Sequence, residues 1–136
     1  MNNQTEIIRA IAEGIIQCAI FADKPEGTNP RVTKQAKQAA ESIAAQFVGI
    51  IGDDLLSDAV EAYADGYCEV DKDAPECIGY DVWYTMRGHG VGFWDRDFLK
   101  VDKYGEAITL GQQLTDACRK LKHVEPTFYR GWMYLE

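Results

Sequence analysis

Along residues 5–22, TEIIRAIAEGIIQCAIFA, apolar side chains return at positions 7/8, 11, 15, 18/19 and 22, the spacing of one helical face. Gly14 interrupts that stripe and weakens it by about 1 kcal/mol relative to alanine. DKPEGTNP follows as a loop. Asn29-Pro30 predicts the next helix start, with Asn as N-cap and Pro at the first helical position, where a missing N–H costs nothing. From there Val32, Ala36, Ala39/Ala40, Ile43, Phe47 and Ile50/Ile51 share one side. Gly52 suits a C-terminal cap. Asp53 or Asp54 then opens a shorter third helix with Leu55, Leu56, Ala59, Val60 and Tyr63 inward, and Gly66 ends it.

The pattern changes after residue 66. GYCEVDKDAPECIGY, residues 66–80, is rich in turn formers and has no periodicity, so it predicts a long connection. DVWYTMR alternates, Val82, Tyr84 and Met86 against Trp83 and Thr85, which predicts a strand. VGFWD predicts a second strand, with GHG between them as a tight reversal that uses positive φ. Helical spacing returns over 105–121 through Ala107, Leu110, Leu114, Ala117/Cys118 and Leu121, with basic residues in the last turn. VEPTFYRGWMYLE closes the chain as two short strands around Arg130-Gly131.

The expected order is therefore ααα-ββ-α-ββ, an α+β fold in which N-terminal helices pack with a small antiparallel sheet. With 136 residues, the chain suits a single domain, 1–136. It divides into a helical part (1–65), an acidic connection (66–80) and a hairpin–helix–hairpin part (81–136). The first residues, MNNQTEIIRAIAEG, lack the basic and apolar regions of a signal peptide, and no apolar run reaches membrane-helix length. Both predict a cytoplasmic protein.

Charge adds a location. Between Asp53 and Glu76 there are nine acids and one base, which accounts for the whole formal net charge of −8. An acidic chain is not expected to bind phosphate backbones over a broad face, since that requires clustered Lys and Arg. The block has two readings: a solvated face that aids solubility, or a patch built from Asp58, Glu61, Asp65, Glu69, Asp71 and Asp73 that docks a basic partner. Asp71 and Asp73 lack the residue order of a calcium loop. The four cysteines, 18, 68, 77 and 118, match no zinc spacing and read as reduced thiols, although Cys68 and Cys77 could be linked in an oxidising compartment. Neither a metal nor a cofactor is expected.

The most distinctive chemistry falls in RGHGVGFWDRD, residues 87–97. As a hairpin it would expose one of Phe93 and Trp94 beside arginine, the composition of interaction hot spots. Trp83, Thr85, Arg87, His89, Phe93, Trp94, Asp95 and Arg96 form the candidate binding surface. A structural reading stands beside this one, in which the glycines make the turn and the aromatics cover the strand. Two other readings belong to different classes. Trp83, Trp94, His89 and Arg96 could line a pocket that sequesters a small molecule or nucleotide. Alternatively, His89 could serve a small hydrolase as general base, oriented by Asp81 or Asp95. GHGVG is not a phosphate loop, and no nucleophile motif is present, so no catalytic residue is assigned.

The stretch DVWYTMRGHGVGFWDRD resembles a segment of a family of small, mostly uncharacterised proteins encoded by bacteriophages and prophages. The resemblance rests on Asp81, Trp83, Thr85, Gly88, His89, Gly90, Gly92, Phe93, Trp94 and Asp95. Outside that stretch it is one of element order, and the acidic connection at 66–80 and the closing PTFYRGWMYLE depart from it. The resemblance implies a phage accessory protein, in the host cytoplasm, and carries no activity with it. Since a small acidic inhibitor needs no catalytic residues, the missing motifs agree with the expected function: stoichiometric binding to host or defence machinery, as an inhibitor binds.

Overall fold

A computed structural model describes residues 3–66, 73–88, 90–100 and 109–136. Outside the described residues lie His89, Cys68, the patch residues Glu69 and Asp71, and the start of the helix expected from residue 105. The order is α1 (Asn3–Asp23), β1 (Arg31–Val32), α2 (Lys34–Gly66), α3 (Ala74–Arg87), two single 3-10 turns at Phe93–Asp95 and Asp97–Leu99, α4 (Leu110–Cys118), β2 (Pro126–Tyr129) and β3 (Trp132–Leu135). The fold is thus mostly helical with a small mixed sheet. No helix among the described residues is long and apolar enough to cross a membrane.

Three expectations are corrected. The largest concerns residues 74–87, expected as connection followed by strand, which form one helix. Viewed from Ala74, the buried positions are 74, 77–79 and 81–83, a helical period that alternation within DVWYTMR alone conceals. Pro75 sits in the first turn, where proline is tolerated. Gly88 ends the helix in the left-handed region (φ 66, ψ 39), its N–H donating to the Tyr84 carbonyl. GHG therefore begins with a helix cap and does not join two strands. Within VGFWD, Phe93–Asp95 is correspondingly a tight 3-10 turn.

The second correction moves the start of α2. Arg31 and Val32 are extended, and Thr33 caps the helix, its Oγ1 accepting from Ala36 N–H at 3.0 Å. The same hydroxyl donates to the Met133 carbonyl at 2.7 Å, so the cap also ties the helix to the C-terminal strand. Gln35 reinforces the link by exchanging hydrogen bonds with the backbone of Leu135. Gly52 does mark a break: at φ 82, ψ 171 it divides α2 into two limbs.

The third concerns the sheet. It has three strands in the order β1-β3-β2, not two antiparallel hairpins. β1 runs parallel to β3, with Arg31 opposite Trp132 and Val32 opposite Met133. The C-terminal hairpin forms as expected around Arg130 and Gly131, both at positive φ, with Tyr129 opposite Trp132.

The helices enclose a core that includes Ile11, Ile15, Phe47, Tyr63, Ile78, Trp83, Phe93, Leu114 and Met133. α1 and α3 cross unusually closely at two glycines. A Cβ on Gly14 would stand 2.1 Å from the Glu76 carbonyl oxygen, and one on Gly79 would stand 2.1 Å from that of Ile11.

Candidate functional site

Residues 90–99 fold back on α3, and side chains from the two segments hold that return in place. Asp81 is completely buried. Arg96 grips it with two hydrogen bonds, Nε to Oδ2 at 2.9 Å and Nη2 to Oδ1 at 2.7 Å, and the Tyr63 hydroxyl donates to Oδ2. A buried carboxylate is stable only when paired and hydrogen-bonded in this way. Phe93 is sealed in the core, stacked on Phe47 with ring centroids 5.8 Å apart and edge-on to Tyr63 at 6.3 Å. Its N–H donates to Thr85 Oγ1 at 3.3 Å, while Asp95 accepts from Gly92 N–H at 3.1 Å. Gly92 is required by space: a Cβ there would meet Thr85 Oγ1 and the Trp94 ring, each at 2.5 Å.

The expected recognition surface is therefore dispersed. Trp83 and Phe93 are buried and cannot meet a partner. The Trp83 indole N–H donates to Asp23 at 2.7 Å, tying the end of α1 to α3. Arg87 lies over the Trp83 ring, with its Nε buried and without a hydrogen-bond partner among the described residues. Thr85 and Arg96 are half-buried and engaged. Trp94, 41 % exposed, and Asp95 remain at the surface. Asp81 and Asp95, offered as orienting groups for a hydrolase, both serve the loop's own architecture.

Beside this return, Thr85, Met86, Cys118, Arg119, Leu121 and His123 line a cleft of about 220 Å³. Burial, and then the negative charge of Asp81, push the Cys118 thiol far above its ordinary range. It therefore stays protonated and is a poor nucleophile. In the folded protein at mildly alkaline pH, Cys118 is expected to resist iodoacetamide, and to react once urea unfolds the chain. Peptide mapping of the alkylated protein checks this, and rapid native labelling at Cys118 would refute it.

A second region brings the acidic block into contact with apolar surface. The second limb of α2 carries Asp53, Asp54, Asp58, Glu61 and Asp65 and no basic residue. Against the start of α1 it leaves an open groove of about 420 Å³, formed by Ile7, Leu56, Val60 and Ala64 and flanked by Asp53 and Glu61. Gln4 crosses one end to donate to Asp53 at 3.0 Å. Asp58 is half-buried, while Glu61, Asp65 and Asp73 are exposed.

A third region was not singled out from the sequence. On the solvent face of the sheet, Arg31, Trp132 and Tyr129 form one row across all three strands. Alternation in PTFYRGWMYLE was sufficient to put Tyr129 and Trp132 on one face. Arg31 joins them only through a long-range parallel pairing.

Comparison with protein-family models, with curated proteins and with solved structures finds no match.

Proposed function

We propose that this chain is an accessory protein that acts by stoichiometric binding, with a basic amphipathic helix of its partner seated in the groove between α1 and the second limb of α2. The observation that carries this reading is the combination of apolar lining and acidic flanks in one open groove. Apolar residues repeating along one face of a partner helix would find Ile7, Leu56 and Val60, and lysines or arginines beside them would meet Asp53 and Glu61. Concentrated negative charge on one limb also favours rapid capture of a basic partner by long-range steering. The resemblance of residues 81–95 to phage and prophage proteins supports a partner within host or defence machinery.

The test uses a Leu/Lys amphipathic peptide, a scrambled peptide of equal composition, and a Leu/Glu counterpart, followed by calorimetry and amide chemical shifts. The Leu/Lys peptide is expected to bind alone, to weaken with added salt, and to shift resonances at Ile7 and Val60. Asp53→Lys/Glu61→Lys should weaken it by at least tenfold, a loss of about 1.4 kcal/mol or more. Equal binding of the scrambled peptide, or indifference to the charge reversals, would defeat the proposal.

A further inference from the structure

The row Arg31–Trp132–Tyr129 differs in character from the rest of this acidic protein. Tyr129 is 57 % exposed and Trp132 39 %, both on the face opposite buried Met133 and Leu135. Arg31 stands over the Trp132 ring at 5.7 Å, and Arg130, at the hairpin turn, stands over the Tyr129 ring at 5.3 Å. Neither arginine has a carboxylate partner among the described residues, so their charge faces solvent. In the next row Tyr134 lies opposite Thr127 on the same face. Around the turn, Pro25, Asn29, Pro30, Phe128 and Arg130 border a recess of about 250 Å³ adjoining Tyr129.

We propose that this face binds a short stretch of single-stranded nucleic acid, with bases stacked on Trp132 and Tyr129 and phosphates paired with Arg31 and Arg130. Exposed rings on a sheet surface offer a π-face that any base can use, and flanking guanidiniums can stack on a base or pair with its phosphate. The charge is complementary, since two cations unpaired with any described carboxylate face a polyanion. Antiparallel Cα partners such as Trp132 and Tyr129 lie about 5 Å apart, which places their side chains on adjacent strands within reach of successive bases. A duplex is disfavoured because it hides its base faces and requires a broad basic surface, which the net charge of −8 denies it. The site lies apart from the α1–α2 groove and does not depend on it.

The test is fluorescence anisotropy with a short fluorescein-labelled oligothymidylate at low ionic strength, beside a duplex of equal length and a labelled polyglutamate. The single strand is expected to bind and the other two to bind at least tenfold more weakly. Trp132→Ala should weaken the single strand about tenfold, in line with the loss of one stacked base. Arg31→Glu, which changes only a surface side chain, should abolish binding while circular dichroism stays unchanged. No binding of the single strand, equal binding of polyglutamate or duplex, or affinity unchanged in both variants would overturn the proposal.

Discussion

Gly79→Ala is expected to destabilise the protein by about 3 kcal/mol, although alanine is the better helix former by about 1 kcal/mol. The added methyl would stand 2.1 Å from the Ile11 carbonyl oxygen and 2.9 Å from Gly14 Cα, both backbone atoms. No rotamer change can relieve that overlap, so α1 and α3 must separate. Their separation would loosen contacts of Ile11, Ile15, Ile78 and Val82, all fully buried. Gly14→Ala should behave alike, because its methyl would stand 2.1 Å from the Glu76 carbonyl oxygen. Gly49→Ala supplies the contrast. Gly49 lies in α2 with open space around its Cβ position and no positive φ, so only the propensity gain remains, and it should stabilise by about 0.5–1 kcal/mol. Urea denaturation of the three variants checks the prediction. If Gly79→Ala and Gly49→Ala shift the midpoint in the same direction, the helices do not cross as described.

Breaking the Asp81–Arg96 pair carries the next largest expected effect. Asp81→Ala should cost about 3 kcal/mol, because the Arg96 guanidinium and the Tyr63 hydroxyl then lose a buried acceptor. Arg96→Met should cost somewhat less. Its side chain is 21 % exposed, so water screens part of the interaction, but Asp81 is left buried with only neutral donors. Replacing both by apolar residues should recover much of the loss, since neither charge is then stranded. A double-mutant cycle in urea gives the coupling, expected at about 2 kcal/mol. Amide exchange should also quicken across Gly92–Leu99, the segment that Arg96 fastens. Additive losses, with exchange in that segment unchanged, would show that the pair does not hold the loop.

These two predictions mark what periodicity could and could not reveal. Helix α1 and both limbs of α2 were legible, because each buries one side against the core and repeats apolar residues at helical spacing over long windows. The C-terminal hairpin was legible because Arg130-Gly131 must adopt positive φ between two short alternating runs. Helix α3 was misread because two adjacent aromatics and a β-branched residue imitate alternation over a few positions. Asp81, one of its inward positions, is polar and so adds nothing to an apolar helical stripe. Its partner Arg96 lies fifteen positions on, beyond any helical or strand period.

The candidate sites divide in the same way. Charge placement alone located the acidic limb, because like charges at helical spacing need no tertiary knowledge to be counted. That this limb flanks an apolar groove depends on how α1 packs against it. RGHGVGFWDRD stood out by composition, but composition does not say which of its side chains turn inward.

By itself the sequence determined the helical N-terminal half, the closing hairpin and the position of the negative charge, each a property of neighbours within a few residues. Only the tertiary structure decided that Phe93 and Trp83 are core, that Gly14 and Gly79 are a helix crossing, and that Arg31 stands in line with Trp132 and Tyr129. Those depend on groups far apart along the chain, whose contact is set by packing and strand pairing and leaves no periodic trace.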